Sequence, residues 1–347
     1  MRIITGRAAS GKTARILAEI AAACVEPGSR QLLIVPELFS HEYERRLAKA
    51  TGNRGARSAE VLSFSRLALR VFAEAGGLAE TVLTPAGRLL TLREALSRVR
   101  TQLDVCKSAL EQPEMLRELL TMVDELKTCR VQPEELFRAA GDGKKEDETL
   151  SRKLRELAVV YTAYDRLCAE SLPDPRDRLT LLADRLPASG VLQNARVYID
   201  CFASFTPQEM EVIRVMVENG VDLTVAVLCD LKEKEVFVSG CKTVARLRKM
   251  ASRRGLPCEI VPCGESRIEK PADLSVIERE ALLPLSRTYP SDEDSVRIFE
   301  AASPFGECEH AAAYIRKTVR ETGARWRDFA VVARSMDGYA APLQMAM

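Results

Sequence analysis

The sequence predicts an α/β fold: a parallel sheet flanked by helices, split by an all-helical insertion and followed by the start of a second α/β domain. Three observations carry this. Residues 1–20, MRIITGRAASGKTARILAEI, place a glycine loop between a short β-branched run and a helical pattern. Apolar runs of strand length then alternate with segments of helical period, as strands joined by crossover helices do. From 85 to 186 that alternation stops and only helical periodicity remains.

In chain order, Ile3 and Ile4 begin a strand, and Ala14 to Ala23 carry apolar residues at helical spacing. QLLIVPE (31–37) reads as a buried strand ending at Pro36, and SHEYERRLAKA (40–50) as a helix. Ala59–Ser63 is a third strand, leading into a helix that stops at Gly76-Gly77. The segments around 84–100, 113–129 and 151–170 repeat apolar residues at i, i+3, i+4 and i+7, and the polar run Gly141 to Glu148 reads as a solvated loop between helices. Strands return at 195–202 and 222–230, with a helix between them ending at Gly220. A basic helix (242–255) leads to a short strand in PCEIVPC (257–263). After a polar linker, Glu265–Asp294, come SVRIFEA (295–301) as a strand, a helix near 306–322 and FAVVARS (329–335) as a strand. The chain stops soon after, as a fragment would.

At 347 residues the length suggests about two domains. Apolar content of 46% and charged content of 29% are those of an ordinary globular protein. A net charge of +1 gives no overall pull toward nucleic acid or membrane, so any DNA contact must come from local patches. No run approaches the ~20 apolar residues that span a bilayer. A strand and glycine loop occupy the place of a signal peptide, so a cytoplasmic location is expected. The ten cysteines form no C-x-x-C pair, and only two histidines, His41 and His310, accompany them. Zinc-ligand spacing is therefore absent, and scattered reduced thiols are expected.

The glycine loop carries the chemistry. Gly6-Arg7-Ala8-Ala9-Ser10-Gly11-Lys12-Thr13 fits G-x-x-x-x-G-K-[ST] without a mismatch. In such a loop successive backbone N–H groups cradle phosphates, and the following helix points its positive end at them. Gly6, Ala8, Ala9, Ser10 and Gly11 would supply the cradle, Lys12 would reach the β- and γ-phosphates of ATP, and Thr13 would ligate Mg²⁺. A second Mg²⁺ contact is needed from a strand end, and Asp200 in VYIDCFASFTPQE supplies it; alone, the same residue would read as a cap for the next turn. Cys201 follows where P-loop motors generally place a Glu that activates water. A thiol does not replace a carboxylate base there, and Glu209 falls in the next helix, so the local sequence favours binding over turnover.

With these residues in view, the chain resembles the AddB family, the second component of the bacterial AddAB (RexAB) helicase–nuclease that processes DNA double-strand breaks. GRAASGKT, LLIVPELFSHEYERRL, VLSFSRLALRVFAEAGG and VYIDCFASFTPQE occur in this order in that family, and the similarity covers essentially the whole chain. The resemblance implies a P-loop NTPase of RecA-like, superfamily 1 helicase type. Residues 1–84 and 187–290 would form the first RecA-like domain, 85–186 the inserted 1B-like domain, and 291–347 the start of a second, truncated one. It further implies that Arg334 approaches the γ-phosphate, and that Pro36, Phe39 and the SFSR run (Ser63, Phe64, Ser65, Arg66) contact single-stranded DNA. An AddA-type partner would be the translocating motor, while this region would bind DNA and contribute to Chi recognition. The family's nuclease domain and iron–sulfur cluster would lie in a C-terminal part beyond this chain. At the Cys201 position the family often has Gly, which also lacks a carboxylate.

The basic helix bearing Lys242, Arg246, Arg248, Lys249, Arg253 and Arg254 reads equally as a phosphate-contacting stripe or a solvated face. Aromatic content of 5% makes no broad base-stacking platform evident. Phe39 and Phe64 suit a core as well as a stacked base, and Trp326 lies between Arg325 and Arg327. The rival readings are an active helicase or ATPase, a P-loop small-molecule kinase, and a scaffold with a relic loop. The long helical insertion argues against the kinase.

Overall fold

The computed structural model describes all residues except 26, 27, 29, 53, 54, 78–80, 143–147, 265–268, 283–287 and 291–293. It divides into two compact units, Met1–Ile268 and Glu269–Met347.

The first unit is built on β1 (Arg2–Gly6), β2 (Arg30–Ile34), β3 (Ala59–Leu62), β4 (Ala195–Ile199), β5 (Asp222–Leu228) and β6 (Glu259–Pro262). All neighbours pair in parallel, in the order β3-β2-β4-β5-β1-β6. Strands buried on both faces need apolar residues at most positions, which is why β1, β2, β4 and β5 read as apolar runs, while β3 and β6 lie at the sheet edges. Successive side chains point to opposite faces. Ile3, Leu32, Ile34, Val197 and Val225 face one layer, formed by α4 (Phe64–Ala75), α9 (Arg178–Arg185), α10 (Pro207–Glu218) and α11 (Val238–Arg253). Ile4, Leu33, Val35 and Tyr198 face the other, where α1 (Lys12–Ala23) and α2 (Ser40–Thr51) pack through Ile16, Ile20, Tyr43 and Leu47. Each such fully buried aliphatic contributes on the order of 1.5–3 kcal/mol. The short α3 (Gly55–Ser58) leads into β3.

Between α4 and α9 the chain forms α5 (Pro85–Arg98), α6 (Pro113–Cys129), α7 (Pro133–Asp142) and α8 (Glu148–Glu170). These helices share their own apolar cluster, with Leu92, Leu96, Val123, Ala158, Tyr161 and Tyr164 at its centre. Buried charges brace it. Arg88 pairs with Asp124 and Asp174, Lys127 with Asp165 and Asp177, and the Glu156 carboxylate accepts the backbone N–H groups of Asp104, Val105 and Cys106. Arg130 of the turn after α6 reaches Glu211 of α10 at 3.0 Å, tying the helices to the layer beneath. Of the polar run expected as a loop, Gly141 and Asp142 end α7 and Glu148 opens α8; residues 143–147 lie outside the described residues.

The second unit contains α12 (Ala272–Glu280), α13 (Pro304–Thr322) and α14 (Ala340–Ala346). α12 lies within the segment read as a polar linker, Glu265–Asp294, for which no helix is expected from the sequence; that segment is in part outside the described residues. α13 is the expected helix: Ser303 accepts from the Gly306 N–H at its start, and Gly323 closes it at φ 71°. Tyr339 donates to Glu307 at 2.6 Å, holding α14 on α13. The strands expected at 295–301 and 329–335 do not form. Apolar patterning marks a segment that can join a ladder, but a strand exists only with a hydrogen-bonded neighbour. No such neighbour stands beside either segment among the described residues, and Phe299 instead lies flat on the His310 ring of α13.

Candidate nucleotide-binding site

Parallel register brings Gly6, Ile34, Leu62, Ile199 and Leu228 to one edge of the sheet, the carboxyl edge, where open α/β sheets bind ligands. The glycine loop leaves β1 there. A Cβ on Gly6 would stand 2.3 Å from Ser10 Oγ and 3.1 Å from the Cβ atoms of Ser10 and Cys263, so Ser10 would have to turn and both neighbours would have to give. Gly11 takes φ 90°, a left-handed conformation that glycine adopts without a steric cost. α1 then starts with no side-chain cap and no acidic residue in its first turn, whereas Ser63, Thr84, Thr206 and Ser303 cap their helices. The first N–H groups of α1 are thus left for an acceptor from outside the helix. Ser10 Oγ is buried without a hydrogen-bond partner.

Lys12 arches back over the loop, donating from Nζ to the carbonyls of Gly6 at 2.9 Å and Arg7 at 2.7 Å. Burial lowers its pKa, and the Asp200 carboxylate partly offsets that. β5 stands between β1 and β4, so Asp200 meets the loop through α1, which crosses the sheet face. Asp200 extends the β4 ladder by one bond, its N–H donating to Ile34 O at 3.0 Å, and its side chain is 2% exposed. Thr13 Oγ1 donates to Asp200 Oδ2 at 2.6 Å, Tyr43 OH donates to the same oxygen at 3.2 Å, and the Cys201 N–H donates to Oδ1 at 2.8 Å. Burial raises the Tyr43 phenol pKa, and the neighbouring Asp200 charge raises it further. A hydroxyl and a carboxylate facing each other across the start of α1 form a hard-oxygen donor set of the type Mg²⁺ prefers.

Two parts of this site were not foreseen. Tyr43 and Leu47, one turn apart, are buried residues of α2, but nothing in the sequence pattern aimed the Tyr43 hydroxyl at Asp200. Arg7, between the predicted contacts, turns away from the loop. It binds Asp230 at 2.8 Å and Glu233 at 2.7 Å, and lies over the Phe237 ring. Only the spacing of acids after β5 hints at that clamp. Glu209 is the N3 residue of α10 and accepts from the Thr206 N–H at 2.8 Å in a capping box, so its carboxylate is committed. Cys201 is exposed and held at φ 68°. Left-handed backbone costs an L-residue roughly 1–2 kcal/mol. Cys201→Gly should therefore stabilise the first unit by about 1 kcal/mol, read as a higher urea midpoint; an unchanged or lower midpoint would refute strain at this position.

The residues expected to contact DNA share this edge. Pro36 and Phe39 are half-buried at the end of β2, with Phe39 packed beside the core under α2. Ser63 is buried, caps α4 through the Arg66 N–H at 3.1 Å and donates to Glu37. Phe64 is buried and meets Phe202 edge-on, ring centroids 5.5 Å apart. Ser65 and Arg66 are half-buried, and Arg66 pairs with Glu44 at 2.6 Å. Arg334 is exposed in the second unit. A cavity of about 400 Å³ adjoins the loop, lined by Ser10, Gly11, Ala14, Arg15, Pro262 and Cys263. Two larger hollows of about 630 Å³ open toward the opposite ends of the strands, near Arg196 and Asp222, away from this chemistry.

A family profile described as "ADDB, N-terminal" matches residues 3–278. The chain belongs to the AddB family. Among similar family members, the B component of the ATP-dependent helicase/deoxyribonuclease of Acetivibrio thermocellus is 32% identical over 349 residues, covering 98% of this chain and 30% of that protein. Proteins of the same name from Moorella thermoacetica and Desulforudis audaxviator are each 35% identical over 98% of this chain, and it covers 31% and 30% of them. The chain thus spans about three-tenths of the length of these AddB relatives. Among its described residues, no helix is long and apolar enough to cross a membrane.

Proposed function

We propose that this chain is the nucleotide-binding, helicase-like N-terminal region of the AddB component of an ATP-dependent helicase/deoxyribonuclease. In this reading it binds Mg·ATP at the glycine loop and guides single-stranded DNA over the carboxyl edge of the sheet. The observation that carries it is the 2.6 Å contact between Thr13 and Asp200 at the mouth of the loop. That contact joins the two side chains that would hold Mg²⁺, from distant parts of the sequence. The unpartnered Ser10 hydroxyl and the uncapped start of α1 add donors where phosphates would lie. Lys12 would exchange its loop carbonyls for the β- and γ-phosphates.

Bound Mg²⁺ would neutralise phosphate charge. The residues around it bind rather than turn over nucleotide: Cys201 follows Asp200, and Glu209 is tied into its capping box. Translocation then falls to a partner of AddA type, with this region contributing DNA contacts, including recognition of Chi, during processing of double-strand breaks. Pro36, Phe39, Ser65 and Arg66 keep enough accessible surface for such contacts, while Ser63 would act by fixing the start of α4. On this reading the nuclease and its iron–sulfur cluster would belong to a further part of an AddB chain.

Calorimetric titration of Mg·ATP into this chain and into Lys12→Ala, with phosphate release followed in the same samples, tests the reading. Charge-assisted hydrogen bonds are worth about 1.5–3 kcal/mol, so Lys12→Ala should weaken binding about tenfold to a hundredfold. Phosphate release should stay at background with and without DNA. Equal binding by both proteins would sink the nucleotide site, and DNA-stimulated release would select an active helicase or ATPase.

A further inference from the structure

We infer that the outer face of α11 is a docking surface for the phosphate backbone of duplex DNA, separate from the sheet edge. This rests on the DNA-processing reading above and adds to it a second place of contact. Residues 236–258 hold six Lys or Arg and no Asp or Glu, in a chain whose totals nearly balance at 51 and 50. Four of the six, Lys242, Arg246, Lys249 and Arg253, follow one another at spacings of 4, 3 and 4. At 100° per residue they fall within about 60° of one another, in a straight line about 16 Å long. The buried positions Val244, Leu247 and Ala251 face the opposite side, against the sheet, and all four bases are exposed.

The rest of the molecule supplies the control. Surface helices here pair their bases with acids one turn away: Arg46 with Glu42, Arg98 with Glu94, Arg214 with Glu211 and Glu218, Lys317 with Glu321. The four stripe residues make no ion pair with any described residue. Lined-up like charges cost stability when nothing offsets them, so a polyanion that neutralises the row gains what the fold forgoes. Neighbouring bases on one helix face stand about 5–6 Å apart, a ladder suited to successive backbone phosphates. Residues 238–258 contain no aromatic side chain, so the surface cannot stack unpaired bases. Such a row contacts phosphates without reading sequence, which suits a protein that must hold the duplex while other parts handle the separated strand.

The test is binding of a fluorescent 20-base-pair duplex and of a matching single strand, by anisotropy, across a salt series. It compares the unmodified chain with Lys242→Gln/Arg246→Gln/Lys249→Gln/Arg253→Gln and with the charge-keeping Lys242→Arg/Lys249→Arg. Each phosphate contact contributes about 0.9 to the slope of log affinity against log salt, so the quadruple variant should lose about 3.6 from the duplex slope. Between 50 and 200 mM salt the unmodified chain should therefore lose roughly 150-fold more affinity than the variant. The arginine variant should keep the full slope, and the quadruple variant should show a urea midpoint no lower than that of the unmodified chain. A duplex slope unchanged in the quadruple variant overturns the proposal and leaves the sheet-edge DNA reading standing. Single-strand binding with no duplex binding does the same, and binding of neither overturns both.

Discussion

Asp174→Ala should lower the unfolding free energy of the first unit by about 3–5 kcal/mol, the cost of stripping one partner from a buried ion pair. Asp174 is 2% exposed and accepts from three donors: Arg88 Nη2 at 3.0 Å, Tyr164 OH at 2.8 Å and the Arg176 N–H at 2.9 Å. Arg88 Nε also stands 2.9 Å from it as an ion-pair contact. Without the carboxylate, buried Arg88 keeps only Asp124, and the fully buried Tyr164 hydroxyl loses its acceptor. Burial alone would push the Asp174 pKa up. The Arg176 N–H, the Arg88 guanidinium and the Tyr164 hydroxyl outweigh that and hold it below the usual carboxylate range. The sign follows: a carboxyl whose folded pKa is depressed stabilises above its unfolded value near 4 and loses that contribution as pH falls through the folded value. Urea midpoints at pH 7 and down to pH 2 should show a large gap between the parent and Asp174→Ala that narrows below about pH 4. A gap under about 1 kcal/mol at neutral pH would mean that the network contributes little net stability.

Why some of this architecture was legible and some was not comes down to what a side-chain pattern reports. Apolar periodicity reports how a segment is exposed. It identified β1, β2, β4 and β5 because each is buried on two faces, β3 and β6 as shorter apolar runs at the sheet edges, and the helices of 85–186 because each has one apolar stripe. It says nothing of partners. SVRIFEA and FAVVARS have the composition of strands and, among the described residues, no ladder to join, and Ile298 and Val332 stand 97% and 90% exposed. The same limit applies at the site. The glycine loop was legible because its chemistry lies within eight consecutive residues. Asp200 could be proposed because the glycine loop calls for a carboxylate at a strand end and VYID supplies one; without the loop the same residue reads as a turn cap. Tyr43 and the Arg7–Asp230–Glu233 clamp depend on how α2 and the segment after β5 return to the sheet edge, a property of the packed chain. Ser63 shows a further limit, since a residue expected to touch DNA is committed to starting α4.

Asp200→Asn should separate the metal's share of nucleotide binding from that of the loop. Asn has nearly the same shape and keeps one acceptor oxygen, but it lacks the charge, and its amide nitrogen cannot accept from Thr13 or from the Cys201 N–H. Loss of a side chain that holds a metal, directly or through water, typically weakens metal affinity about 10–100-fold. Mg·ATP should therefore bind the variant weaker by about that factor, while ATP with EDTA should bind variant and parent within about twofold. The variant should also lose about 1–3 kcal/mol of stability, since an N–H or hydroxyl buried beside position 200 loses its acceptor. Lys12→Ala should behave differently, losing affinity with or without magnesium, because the ammonium contacts phosphate rather than metal. If Asp200→Asn weakens binding equally in EDTA, the 2.6 Å bond from Thr13 serves to shape the start of α1, and Asp200 is a brace for the loop rather than a Mg²⁺ ligand.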